Sequence, residues 1–276
     1  MKFTKMHGAG NDYVYVNCFE NETGDRPSLA RRISDRHFGI GSDGLVCICP
    51  SETADFKMDM YNADGSGSQM CGNGIRCLGK YVFDRGMTDR QTITVETQAG
   101  IKTLNLEVID GTVRNVRVDM GSPELRPSKI PADVTGDSFI DHEVNIAGIS
   151  YRVTSLSVGN PHAVVFVSDV DNFPVEKAGP LFEHSPLFPE RVNAEFVQIL
   201  DDKTLKVRVW ERGSGETLAC GTGATASLVA ACLNGHTGPA ATIELPGGRL
   251  YIEWDREIDQ LYMTGPAETV FDGELF

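Results

Sequence analysis

Val209-Trp210-Glu211-Arg212-Gly213-Ser214-Gly215-Glu216-Thr217-Leu218-Ala219-Cys220-Gly221-Thr222-Gly223-Ala224-Thr225-Ala226 is the stretch whose reading decides the fold. Apolar alternation at Leu205, Val207 and Val209 predicts a strand that breaks at a Gly/Ser turn. Cys220 then opens an Ala-rich segment, 223–232, with the composition of a buried helix. The cysteine is therefore expected at a helix N-terminus. Unpaired backbone N–H groups and the positive end of the helix dipole favour an anion there and lower the pKa of a thiol. Gly221 and Gly223 clear side chains from around the sulfur, so a carboxylate or phosphate can approach bare backbone.

The same device occurs earlier. The run Phe56-Lys57-Met58-Asp59-Met60-Tyr61-Asn62 is followed by the turn Ala63-Asp64-Gly65-Ser66-Gly67, and then by Cys71-Gly72-Asn73-Gly74-Ile75-Arg76-Cys77. An offset of 149 residues carries Cys71 to Cys220, Tyr61 to Trp210, Asn62 to Glu211 and Gly10-Asn11 to Gly159-Asn160. One offset over three separated blocks argues for a duplicated unit and two half-structures related by a pseudo-twofold, with the two cysteines facing each other.

Length and composition agree. A chain of 276 residues with 41% hydrophobic content accommodates two cores, against a prior of about 150 residues per domain. The net charge of −14 argues against nucleic acid or an anionic membrane as partner, because a long-range negative field repels phosphates. Residues 1–7 lack the apolar run of a secretory signal, and no window approaches the roughly 18 apolar residues of a membrane span. Seven cysteines without regular spacing fit a reducing compartment rather than a disulfide framework. The expectation is a soluble, cytoplasmic protein.

In chain order, the reading predicts a strand-turn-strand over 3–18, a helix over 28–36, a strand over 45–49, the first cysteine device, and a strand-rich stretch over 92–120. Pro123, Pro127 and Pro131 mark the boundary between halves. The second half reads as a strand up to Gly159-Asn160, a loop, a turn at Arg191-Val192-Asn193, a strand, the cysteine device and three closing strands over 242–264. The predicted class is α/β (α+β): two pseudo-symmetric half-domains, each a mixed, barrel-like sheet wrapped round a central apolar helix. The N-terminal half is 1–119 with the tail 266–276. The C-terminal half is 120–265, with the active site expected in the cleft between the halves.

Two thiols on helix N-termini with a carboxylate held between them suit removal of a proton from one face of a carbon and its return to the other. A carbon acid α to a carboxylate is very weak, so the developing charge needs preorganised donors in a water-poor site, which helix N-termini with glycines supply. One cysteine must be thiolate and the other thiol, with the acid and base work falling to the cysteines themselves. No lysine-centred pyridoxal site is evident.

These residues carry a resemblance to the diaminopimelate epimerases, cofactor-independent two-cysteine amino-acid epimerases. The matching blocks include His7-Gly8-Ala9-Gly10-Asn11-Asp12, Gly39-Ile40-Gly41-Ser42-Asp43-Gly44, Asn62-Ala63-Asp64-Gly65-Ser66, Cys71-Gly72-Asn73-Gly74 and Gly159-Asn160-Pro161-His162. Others are Arg191-Val192-Asn193-Ala194, Glu211-Arg212-Gly213-Ser214-Gly215-Glu216-Thr217, Cys220-Gly221-Thr222-Gly223, Leu245-Pro246-Gly247-Gly248 and Tyr262-Met263-Thr264-Gly265. The resemblance implies interconversion of LL- and meso-2,6-diaminopimelate on the route to lysine and peptidoglycan, with no cofactor, no metal, and a homodimer. It implies Cys71 and Cys220 as the acid/base pair and the amides of Gly72, Asn73, Gly221 and Thr222 as holders of the reacting carboxylate, with Glu211 near its amine. Asn62, Asn193 and Arg212 would grip the distant centre, with Asn11 and Asn160 lining the pocket; His162 is as fit for a capping or packing role as for the pocket.

Cys18, Cys47, Cys49, Cys77 and Cys232 lie in apolar runs and read as core residues, Cys47-Ile48-Cys49 as a period-two strand. Two other functions stay compatible with the residues. A proline or hydroxyproline racemase would use the same two thiols but leave Arg212, Asn62 and Asn193 without work, and a non-catalytic protein would sense redox state or bind anions at the helix ends.

Overall fold

The computed structural model describes residues 1–276. The chain begins β1 (Lys2–Gly8), β2 (Asn11–Asn17), α1 (Arg26–Ser34), β3 (Gly44–Cys49), β4 (Phe56–Asn62) and β5 (Gly67–Ser68). It continues with α2 (Gly72–Asp84), β6 (Thr92–Thr97), β7 (Gly100–Ile109), β8 (Thr112–Gly121), β9 (Phe139–Ile146) and β10 (Ile149–Ser157). Then come β11 (Pro161–Phe166), α3 (Val175–Glu183), β12 (Asn193–Asp201), β13 (Thr204–Glu211), β14 (Gly215–Thr217) and α4 (Gly221–Leu233). The last strands are β15 (Ala240–Leu245), β16 (Gly248–Asp255), β17 (Gln260–Pro266) and β18 (Glu268–Glu274). The class is mixed α/β, few helices against many strands, and no helix is long and apolar enough to cross a membrane. The chain divides into two compact units, Met1–Asp119 with Thr264–Phe276, and Met120–Met263.

In the first unit β1 pairs antiparallel with β18 and β2, β3 runs parallel to β2 and antiparallel to β4, and β6 runs parallel to β4. Antiparallel hairpins add β7 and β8. In the second unit β10 pairs antiparallel with β9 and β11, β12 runs parallel to β11 and antiparallel to β13, and β15 runs parallel to β13. Each parallel pair is joined by a crossover containing a helix, α1 and α2 in one unit, α3 and α4 in the other, as parallel strands require. The duplication extends to the helices: 149 residues separate Arg26 from Val175, Ser34 from Glu183, Gly72 from Gly221 and Asp84 from Leu233.

Strand alternation assigns the two faces. On β3, Leu45, Cys47 and Cys49 join Leu29, Ala30 and Ile33 of α1 in one apolar cluster, which turns Val46 and Ile48 to the opposite face. On the corresponding strands of the second unit, Ala163, Val165, Ala194 and Phe196 join Ala178 and Phe182 of α3. His162, Asn193 and Glu195 therefore project from the other face, towards α4, which packs on β10, β11, β12, β13, β15 and β16. Because both faces are covered, β3 is buried at every position.

α4 is enclosed along nearly its whole length, which explains its Ala/Gly/Ser/Thr composition: small side chains let the strands approach, and its hydroxyls bond within the helix. Thr225 Oγ1 donates to Gly221 O (2.9 Å) and Ser227 Oγ to Gly223 O (2.7 Å). α2 has the same length, 13 residues, but encloses charge. Arg76, fully buried, donates from Nε to Pro266 O (3.1 Å), and Lys80 Nζ donates to Asp84 Oδ2 (2.7 Å) and Val113 O (2.8 Å).

The structure departs from the sequence reading in three places. α1 begins at Arg26 rather than 28, since the Asp25 side chain caps it by accepting from Ser28 N and Pro27 occupies its first turn. The loop expected after β11 contains α3, whose start carries no side-chain cap and whose interior contains Pro180. β9 and β18 had no strand assigned to them; β9 alternates around charged and polar residues, and β18 is exposed along most of its length.

Gly179 of α3 lies against the Trp210 ring: a Cβ there would stand 2.3 Å from Trp210 Cγ, while Trp210 Nε1 is tied to Glu183 Oε2 at 2.7 Å. Gly179→Ala is therefore expected to lower stability by about 1–3 kcal/mol through overpacking. Urea unfolding checks this, and an unchanged midpoint would contradict the rigid seat assigned to Trp210.

Candidate active site

Each unit builds the same local device. Cys71 is the N-cap of α2 (φ −127°, ψ 120°) and Cys220 the N-cap of α4 (φ −116°, ψ 115°). Each sulfur accepts from the amide of the third helical residue, Gly74 N or Gly223 N, at 3.4 Å. Gly72 and Asn73, and Gly221 and Thr222, supply the first two backbone amides of their helices. Gly10 (φ 82°) and Gly159 (φ 89°) adopt left-handed backbone immediately before Asn11 and Asn160, a turn that a side chain would strain.

Around Cys71 the structure gathers Asn11 and Asn73. The Cys71 thiol donates to Asn11 Oδ1 (3.2 Å), Asn73 Nδ2 donates to the same oxygen (3.4 Å), and Asn11 Nδ2 donates to Asp43 Oδ2 (2.7 Å). Tyr15 OH donates to Gly74 O at 2.9 Å, and burial pushes the Tyr15 and Tyr13 hydroxyls up, with the negative charge of a Cys71 thiolate adding to both. Burial pushes the Arg76 guanidinium down, opposed by Cys77 and Cys71 as neighbouring anions. Asn62 is engaged with its own turn, donating from Nδ2 to Ser66 Oγ at 3.0 Å.

Around Cys220 the neighbours are acidic. Thr222 Oγ1 lies 3.4 Å from the sulfur. Glu211, at the end of β13, accepts from the Thr217 hydroxyl, and burial pushes its carboxyl above the ordinary carboxylate range. Burial, then Glu211, then Glu195 push the Cys220 thiol well up. This corrects the expectation that the helix dipole lowers this thiol: the dipole acts in a site where desolvation and two carboxyls outweigh it. His162 and Glu195, both fully buried, meet at 2.7 Å (Nδ1 to Oε1), and His162 Nε2 lies 2.9 Å from Asn160 Oδ1. Asn193 is brought together with Arg212: its Oδ1 accepts from Arg212 N (2.9 Å) and its Nδ2 donates to Pro161 O (2.9 Å). The Arg212 side chain donates to Glu190 O at 2.9 Å.

Sequence reasoning missed Asp43, Tyr13, Tyr15, Arg76 and Glu195. Glu195 was within reach, since it stands two residues beyond Asn193 in a strand and so shares its face. No cluster of three or more His, Cys, Asp or Glu side chains is placed to hold a metal ion.

Two buried helices capped by cysteine on duplicated mixed sheets define a fold shared with a hydroxyproline epimerase of Agrobacterium vitis (TM-score 0.71, 15% identity, all of this chain and 90% of that one). A phenazine biosynthesis protein of the PhzF family from Bacillus anthracis has it too (TM-score 0.73, 18% identity, 100% and 99% covered). Sequence narrows this to one family. The diaminopimelate epimerase family model matches residues 3–126 and again 154–270. A diaminopimelate epimerase of Acetivibrio thermocellus is 61% identical over 276 residues, covering all of this chain and 98% of that protein. One from Methanococcus maripaludis is 54% identical over 275 residues, covering 100% and 99%. The chain belongs to the diaminopimelate epimerase family.

The raised Glu211 carboxyl has a consequence for stability. Below about pH 4.5, the ordinary value for a glutamate, the group is protonated folded and unfolded, and costs nothing. As pH rises the unfolded chain ionises first, so the folded state loses stability until its own carboxyl ionises. Glu211→Gln is therefore expected to melt above the parent at pH 8, with the gain vanishing near pH 4. Melting curves across that range check it; a gain independent of pH would contradict the burial of a titrating carboxyl.

Proposed function

We propose that this protein interconverts LL- and meso-2,6-diaminopimelate by two-base proton transfer between Cys71 and Cys220. The observation that carries the reading is the full-length identity of 61% to a diaminopimelate epimerase, joined to a cysteine N-cap at the same place in each duplicated unit. In one direction a thiolate takes the α-proton: the C–H bond breaks, an S–H bond forms, and the electron pair delocalises into the substrate carboxylate. The other thiol then gives its proton to the opposite face of the carbon and becomes the thiolate. The amides of Gly72, Asn73, Gly221 and Thr222 hold the reacting carboxylate and stabilise its developing charge. Each is worth most in the transition state, where that charge is largest.

Glu211 faces the amine of the reacting centre. Arg212, with Asn62, receives the distant carboxylate and amine, the guanidinium offering a bidentate fork. Asn193 serves them by fixing the Arg212 backbone, consistent with its two bonds to Pro161 O and Arg212 N. Asn11 and Asn160 line the pocket in this reading. The protein works without metal or cofactor as a cytoplasmic homodimer. Its seven free thiols suit a reducing compartment.

Incubation with LL-diaminopimelate in deuterium oxide tests this: deuterium enters the α-carbon and meso product accumulates, while L-proline does not exchange. Cys71→Ala and Cys220→Ala are each expected to lower turnover by about 10²–10⁴-fold, and the double variant to be little worse than either, because the thiols act as a unit. Exchange of proline instead, or a single variant retaining roughly a tenth of wild-type turnover, would overturn the two-thiol assignment.

A further inference from the structure

Close to Cys220 lies a carboxyl that no step above uses. Glu195 is wholly buried, its Oε1 packed against Gly223 so closely that a Cβ there would stand 2.8 Å from it and 3.3 Å from Cys220 Cβ. Its Oε2 has no hydrogen-bond partner. Its Oε1 meets His162 Nδ1 at 2.7 Å, and His162 Nε2 meets Asn160 Oδ1 at 2.9 Å. Glu195 and His162 are inaccessible, whereas Asn160 is partly exposed, so the chain runs from the core to the surface turn between β10 and β11.

Both ring nitrogens face oxygen. An amide oxygen can only accept, so Nε2 must carry a hydrogen, and a second proton lies between Nδ1 and Oε1. With that proton count the buried pair has no net charge, the state that burial favours whichever atom holds the shared proton. Were the pair instead to carry a net negative charge, with an ionised carboxyl and a ring protonated on Nδ1 alone, Nε2 would offer a lone pair and Asn160 would turn to donate its amide. The orientation of Asn160 and the proton on the Glu195–His162 pair are therefore one linked state.

The first unit solves the same problem in another way. Asn11, 149 residues before Asn160, has its amide nitrogen taken by Asp43 Oδ2 at 2.7 Å and its oxygen turned to the Cys71 thiol at 3.2 Å. The positions matching His162 and Glu195 are Tyr13 and Val46.

We propose that Glu195 is a positioning residue which, through His162, fixes the Asn160 amide with its oxygen inward and its NH₂ presented as a donor to substrate. Asn11 thus offers its oxygen to a thiol while Asn160 offers its nitrogen to the ligand, so the duplicated asparagines do different work. This rests on the epimerase reading for the ligand, but not for the relay.

Two measurements test it. In a double-mutant cycle on diaminopimelate turnover, Glu195→Gln frees the ring to take either tautomer and is expected to lower kcat/KM about tenfold, the scale seen when a partner that orients a ligating side chain is removed. In an Asn160→Ala background the same change is expected to cost less than about twofold, because its effect passes through Asn160. Equal losses in both backgrounds would overturn the proposal. Nitrogen-15 NMR of the wild-type imidazoles needs neither a variant nor turnover: His162, assigned by loss of its signals in His162→Gln, is expected to show a slowly exchanging Nε2–H. Absence of that proton would overturn the relay. Failure of the wild type to turn over diaminopimelate with that proton present would sink the epimerase reading alone.

Discussion

A helix enclosed by sheet cannot leave its first amide donors to water, and this constraint organises both units. α2 and α4 each begin where strands surround them, and each meets the constraint with a cysteine sulfur that accepts the third amide at 3.4 Å. A sulfur is a weaker acceptor than the oxygen of Ser, Asp or Asn, the usual caps. A weaker cap is what a reactive group at this position costs. The positive end of the helix dipole makes such a helix start electrostatically suited to an anion.

The rest of the architecture follows from keeping those helix ends buried. The Ala/Ser/Thr composition of α4 lets six strands close on it, and its hydroxyls return their bonds to its own carbonyls. On the opposite faces of the sheets, α1 and α3 supply separate apolar clusters, so the strands between are covered twice and hold the helix ends in fixed register. Burial of side chains such as Leu45, Phe182 and Phe196 contributes about 1.5–3 kcal/mol each, enough to carry a few buried polar groups at the caps.

Although the backbones repeat, the electrostatics do not. Arg76 of α2 corresponds to Thr225 of α4, Val46 of β3 to Glu195 of β12, and Asn62 of β4 to Glu211 of β13. One cap therefore has a buried cation near it and the other two carboxyls. For Cys220 the balance favours the thiol, since burial and both carboxyls raise its pKa. A duplicated fold can thus surround two chemically identical side chains with different charges.

The sequence by itself determined the duplication, the place of each cysteine at a helix start, and the strands flanking them, because these rest on local chemistry: glycine turns, period-two alternation, and an Ala-rich run too apolar for the surface. The 149-residue offset even contained α3, since it carries the helix read over 28–36 to 177–185, but Pro180 and a start without a side-chain cap hid the pattern. Tertiary structure alone decided the charges at the sites. Glu195 meets His162 only because the parallel register of β11 and β12 sets His162 beside Asn193, and the dipole argument for Cys220 fails because burial, and then carboxyls from β13 and β12, outweigh it. Dipoles and caps can be read from neighbours in the chain. Desolvation and the sign of the nearest charge depend on residues brought together across strands, and no local pattern encodes them.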